Sequence, residues 1–182
     1  TGQKGYFDTK IVYVAEDGFG IEKVKRIAIM DYDGENHKYL TNGKNLVLTP
    51  RFSPNGKEIV YLSYLNNKPS VYLLNIKSNK KEILGKFSGM SFAPRFSGDG
   101  KKVIFSLTQK GSSNIYILNL ETRKTIQVTK NKYINTSPSF SANGKKVVFS
   151  SDRAGKQNLY VKSIKTKGKA IRISFGKGNY AT

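Results

Sequence analysis

The chain has 182 residues, 32 Lys plus Arg against 12 Asp plus Glu, one His, and neither Cys nor Trp. The lack of Cys excludes a thiol nucleophile, a disulfide framework and a Cys-based zinc site, and a single His37 leaves little room for His-based metal or Ser-His-Asp chemistry. The longest uninterrupted apolar run, residues 11–15, is about a quarter of the roughly 20 residues a membrane-spanning helix needs, so no segment is expected to span a membrane.

Taken in chain order, the first residues, Thr1-Gly2-Gln3-Lys4-Gly5, carry no initiator Met and no apolar leader, which suggests a processed protein or an excised piece. Ile11-Val12-Tyr13-Val14, Arg26-Ile27-Ala28-Ile29-Met30 and His37-Lys38-Tyr39-Leu40-Thr41 then read as three strands, joined by a long loop over 16–25 and a hairpin turn at Asp31-Tyr32-Asp33-Gly34. A fourth strand, the innermost, has only the residues before about Thr9 to form from. From Asn45 onward a repeat takes over. Pro50, Pro94 and Pro138 stand 44 residues apart, and so do Phe52, Phe96 and Phe140; Ser53, Ser97 and Ser141; Gly56, Gly100 and Gly144; and Tyr72, Tyr116 and Tyr160.

Chance does not hold five residue types in register over three copies, and a period of about 40–50 residues is the mark of a propeller or solenoid. The third copy shows what one unit contains. Residues 137–141 suit a narrow inner strand, Ala142-Asn143-Gly144-Lys145 a tight turn, residues 146–150 a β-branched strand covered on both faces, and residues 158–164 and 170–174 two further strands. Apolar residues come in clusters of three to five and never at helical spacing, so almost no α-helix is expected. The sequence therefore predicts an all-β fold, a β-propeller fragment of about four blades of four antiparallel strands. The units are 1–43, 44–87, 88–131 and 132–178, with 179–182 beginning another. An open arc of four blades is expected to expose sheet faces and edges that favour self-association.

The repeat itself, in its fullest form Thr136-Ser137-Pro138-Ser139-Phe140-Ser141 followed by Ser151-Asp152-Arg153-Ala154-Gly155 and Asn158-Leu159-Tyr160, resembles the WD-like propeller repeat of the TolB family. Prolyl-oligopeptidase-type enzymes carry similar blades, and the gating propeller of such a peptidase is the alternative reading. The segment from Gly5-Tyr6-Phe7-Asp8-Thr9 through Val14, with the later Asp31-Tyr32-Asp33-Gly34, looks like the first propeller blade of the TolB family. The resemblance implies a non-enzymatic periplasmic protein with no cofactor, built from an N-terminal α/β domain and a six-bladed propeller. It also implies a binding scaffold of the Tol-Pal system that docks the peptidoglycan-associated lipoprotein Pal and contacts other Tol proteins, in support of outer-membrane integrity and cell division.

Blade geometry places the loop leading into the inner strand and the loop between the second and third strands on one face, because each strand reverses direction. That face includes Leu48, Thr49, Tyr133, Asp152 and Arg153. Met90, Phe92 and Tyr133 stand out there as large groups of the kind that anchor protein interfaces, and packing against the neighbouring blade is the competing reading. By resemblance, partner contacts fall on Met90, Ser91, Phe92, Ala93, Asn135, Thr136 and Ser137. For Asp152 the stronger reading is a turn cap, and for Arg153 a local pair or a solvent position. No catalytic residue and no metal site is assigned. Of the 32 basic residues 26 are Lys, spread through the whole chain, as in Lys80-Lys81, Lys101-Lys102 and Lys145-Lys146. A solvated surface is the stronger reading of the charge, and no nucleic-acid partner is expected.

Overall fold

The structure, a computed structural model, describes residues 9–65, 68–85, 87–165 and 168–175. β1 (Lys10–Asp17), β2 (Val24–Asp31) and β3 (Lys38–Tyr39) form a three-stranded antiparallel sheet, with a 3-10 turn at Gly20–Glu22 inside the long loop. Three four-stranded antiparallel sheets follow. The first is β4 (Val47–Phe52), β5 (Glu58–Ser63), β6 (Ser70–Asn75) and β7 (Lys81–Ile83). The second is β8 (Met90–Phe96), β9 (Lys102–Gln109), β10 (Ser112–Asn119) and β11 (Thr125–Gln127). The third is β12 (Asn135–Phe140), β13 (Lys146–Ser151), β14 (Asn158–Ser163) and β15 (Ile171–Arg172). Each sheet is ordered as the chain runs, from inner to outer strand. The all-β propeller architecture holds, as an open arc. The inner strand expected ahead of Thr9 lies outside the described residues.

Alternation along the second strand of each unit creates the core. Ile59 and Tyr61 pack with Ile27, Ile29 and Leu40 of the first sheet, whereas Val60 between them packs with Val103, Phe105 and Leu107 of the next sheet. Likewise Ile104 turns the other way, to Val147, Phe149 and Tyr160. Both faces of the middle sheets are therefore buried, which is why their second strands read as nearly continuous apolar runs. Among the described residues no further sheet packs on the far side of the last one, where Ile171 is 66% and Phe175 79% exposed.

The recurring letters of the repeat each have a physical task. Tyr72, Tyr116 and Tyr160 lie directly opposite Tyr61, Phe105 and Phe149, with ring centroids 5.7, 6.2 and 6.1 Å apart in stacked pairs. Ser53, Ser97 and Ser141 each donate a hydroxyl to the acceptor two residues on (Asn55, Asp99, Asn143). Each also accepts the backbone N–H of Glu58, Lys102 or Lys146, at 3.0, 2.9 and 3.0 Å. That closes the tight turn between the first two strands, where Gly56, Gly100 and Gly144 adopt φ of 67, 71 and 64°.

One expectation of the sequence is corrected. The sequence places the third copy's inner strand at 137–141, with Leu48, Thr49, Met90 to Ala93, Asn135 and Thr136 in the loops leading into the inner strands. Instead the inner strands begin at Val47, Met90 and Asn135, and all these residues are strand residues. Pairing skips at each proline: Leu48 faces Leu62 and Arg51 faces Val60, so Thr49 and Pro50 together oppose Tyr61. The same shift falls between Phe92 and Arg95 and between Thr136 and Ser139. Proline has no N–H for the ladder, and a bulge is where a strand accommodates it. The residue before each proline, Thr49, Ala93 or Ser137, takes a left-handed φ of 50, 51 or 48°.

Candidate functional site

One end of the sheets gathers the starts of the inner strands and the loops between second and third strands, as strand reversal requires. Direct contacts confirm the juxtaposition. The Lys68 ammonium donates to the Phe87 carbonyl at 3.0 Å, Gln109 donates its amide to the Ser88 hydroxyl at 2.8 Å, and the Ile134 N–H donates to Asp152 Oδ1 at 2.8 Å.

The twelve sequence-predicted residues divide sharply on this face. Met90 is 47% exposed, Thr49 is exposed, and Leu48, Phe92, Ala93, Tyr133, Thr136 and Ser137 are half-buried. Two of the positions have no side-chain surface to offer. Ser91 is buried, and its hydroxyl accepts the Val71 N–H at 3.0 Å, tying the third unit to the second. Asn135 is wholly buried; its amide donates to the Ser113 carbonyl and to Asn131 Oδ1, both at 2.8 Å, and its oxygen accepts from Arg153 Nη2 at 2.8 Å. These two side chains hold the strands that carry the exposed ones.

Arg153, expected to pair locally or to lie in solvent, pairs locally with Ser151 and also packs among three rings. Its guanidinium carbon lies 4.5, 5.3 and 5.9 Å from the ring centroids of Tyr160, Phe149 and Tyr133, and its Nε donates to the Ser151 hydroxyl at 3.1 Å. Desolvation lowers its pKa, with Tyr160, Tyr133 and Asp152 acting the other way; the arginine's high intrinsic pKa keeps the charge. Asp152, read as a local turn cap, reaches back across the face to fix the segment leading into β12 instead. His37 is exposed, its ring edge against Tyr39 at 4.9 Å. Asp31 to Gly34 form the expected hairpin turn, closed by Gly34 N–H to the Asp31 carbonyl at 3.0 Å. Among the described residues no group of three or more His, Cys, Asp and Glu is placed to hold a metal ion.

The sequence reading missed Asn114 and Asn131. Asn114 Oδ1 accepts from Thr129 Oγ1 at 3.0 Å and from Asn131 N–H at 3.2 Å, while its amide donates to the Asn131 carbonyl at 3.1 Å. The available signal was Asn158, 44 residues on, which holds Ser174 and Arg172 in the same way.

An arc of radial antiparallel sheets, each running in chain order from inner to outer strand, defines the class of protein as a β-propeller. The family description "TolB beta propeller domain" matches residues 1–182, and the chain belongs to that family. The Tol-Pal system protein TolB of Pelagibacter ubique (strain HTCC1062) is 57% identical over 93 residues, 51% of this chain and 21% of the relative. The crystal structure of TolB from Acinetobacter baumannii superposes with a TM-score of 0.81 at 30% identity, covering 99% of this chain and 45% of that one. The chain thus spans less than half the length of this relative. The crystal structure of puromycin hydrolase gives a TM-score of 0.76 at 14% identity over 94% of this chain and 30% of that one, a likeness of fold alone.

Proposed function

We propose that the chain is part of a non-enzymatic, periplasmic binding scaffold of the Tol-Pal cell-envelope system, acting in outer-membrane integrity and cell division. In this reading its loop face docks the peptidoglycan-associated lipoprotein Pal. The observation that carries the proposal is an apolar anchor on the propeller face of a TolB-family chain: Met90, 47% exposed, beside the half-buried Phe92. Such a group gains by being covered, and a central, well-packed anchor contributes about 2 kcal/mol or more to an interface. Leu48, Thr49, Ala93, Tyr133, Thr136 and Ser137 surround it as the rim; Asp152 and Arg153 hold that rim in place, as do Ser91 and Asn135. The outward side of the last sheet is the surface through which a further blade, or a second copy, would continue the ring.

Titration calorimetry of Pal into the full-length parent protein tests the docking face. Met90→Asp and Thr49→Asp are exposed changes that leave folding intact. Met90→Asp should weaken binding by about tenfold or more, and Thr49→Asp and Thr136→Asp by smaller factors. Unchanged affinity in all three variants would refute the assigned face.

A further inference from the structure

Charge is not spread evenly over the fold. After Glu121 the sequence holds 14 of its 32 basic residues and one of its 12 carboxylates, Asp152, and Asp152 is engaged by the Ile134 N–H. Among the described residues, ion pairs use Lys10, Lys23, Lys25, Arg26, Lys101, Lys102 and Arg123. They leave the cations around two adjoining clefts without a carboxylate.

The larger cleft, about 1000 Å³ and open, lies between the start of β8, the β9–β10 hairpin and the segment 130–132; Lys68, Lys110, Lys130 and Lys132 surround it. The smaller, about 360 Å³, shares Lys130 and Asn131 and adds Lys162 and Lys169. Neither lining contains Asp or Glu. The lysines stand on fixed backbone. Lys110 and Gly111 form a two-residue hairpin turn with φ of 49 and 79°, and Asn131, between Lys130 and Lys132, is held by three hydrogen bonds to or from Asn114 and Asn135. Pre-placed like charges repel one another, and a polyanion entering the cleft relieves that repulsion without reordering the backbone.

The geometry points to a docking surface for an acidic polypeptide segment. Gln109 and Gln127 also line the cleft, and a side-chain amide can both donate to and accept from a peptide backbone. The cations are lysines, which bind carboxylates as point charges without the fork geometry that reads nucleotides. The cleft's only aromatic ring, Tyr116, is half-buried and stacked on Phe105, so no platform faces a base. A concave cleft also does not match the flat surface of a bilayer. None of the six lysines is among the positions assigned to Pal docking, but Met90 lines the larger cleft and Arg153 the smaller, so the two surfaces border each other.

Fluorescence anisotropy with a labelled peptide of alternating Glu and Ser, about a dozen residues long, tests it at about 50 mM salt, where screening is weak. K110E/K130E/K132E should weaken binding by about tenfold or more, whereas K80E/K81E/K145E, the same charge change at positions outside the cleft linings, should weaken it by less than about threefold. The neutral K110Q/K130Q/K132Q variant should fall between them, and all three should keep the parent's circular dichroism and melting temperature. Equal losses in the two charge-reversed variants, or no binding by the parent protein, overturns the proposal. So does tighter binding of oligothymidine or of phosphatidylglycerol vesicles than of the peptide, either of which would assign the surface to another class of partner.

Discussion

The junction between the second and third sheets and the junction between the third and fourth use the same apolar geometry but different polar fastenings. In both, an aromatic pair and β-branched residues of one sheet pack on alternate residues of its predecessor. At the earlier junction the Ser91 hydroxyl is the buried tie, crossing to the Val71 N–H, with an Arg123–Glu82 ion pair at the surface. At the later one a buried network runs from Asn131 and Ser113 through Asn135 to Arg153 and its three rings. The position receiving the hydroxyl shows how such differences arise. Ile27, Val71, Ile115 and Leu159 are 44 residues apart, and three of their N–H groups are capped from the segment just after their own sheet's outermost strand, by Thr41, Thr129 and Ser174. The second unit has Gly85 where Thr41 and Thr129 stand in theirs, and the next unit's Ser91 supplies the missing acceptor. A buried N–H has to be satisfied, and a neighbouring blade can do it. Repeat units thus share a packing rule, while each satisfies its polar groups with whatever side chains lie nearest.

Three substitutions sharpen the contrast, all read by urea unfolding. The largest effect is expected for Asn135→Ala, which strips the buried Ser113 carbonyl of its donor and the half-buried Arg153 of its acceptor. A loss of about 2–3 kcal/mol is expected, and a loss below about 0.5 kcal/mol would show that the network contributes little to the later junction. Ser91→Ala removes one neutral bond and leaves the Val71 N–H unpaired, for an expected loss of about 1 kcal/mol. A loss equal to that of Asn135→Ala would erase the difference between the junctions. Ser106 gives the smallest effect. It is fully buried between Phe105 and Leu107, and its hydroxyl is the one buried side-chain oxygen or nitrogen lacking a hydrogen-bond partner among the described residues. Ser106→Ala should be neutral or stabilising by up to about 1 kcal/mol, and a clear destabilisation would mean that the hydroxyl is used.

The repeat was legible in the sequence because its anchors act locally. Ser53, Ser97 and Ser141 close their own turns, and Tyr72, Tyr116 and Tyr160 stack on the residue directly across a hairpin, so their identities recur wherever the unit recurs. The inner-strand starts were misread ahead of Pro50, Pro94 and Pro138, since a bulge depends on the partner strand and leaves only a proline in the letters. The rings around Arg153 were missed for a related reason: they come from residues 133, 149 and 160, brought together by three different elements. Met90 and Phe92 were recognisable as large groups among small ones, but their division into an exposed and a half-buried side chain required the neighbouring strands.

The unit length, the strand order and the alternation that buries both faces of the middle sheets follow from the amino-acid sequence alone, because local turns and a two-residue side-chain period set them. Tertiary structure alone decided which polar side chains are spent in fastening blades, as with Ser91, Asn135 and Arg153, and which stay available, as with Met90 and the lysines around the clefts. Those assignments depend on desolvation and on partners more than a dozen residues away, and neither is encoded in any short stretch of chain.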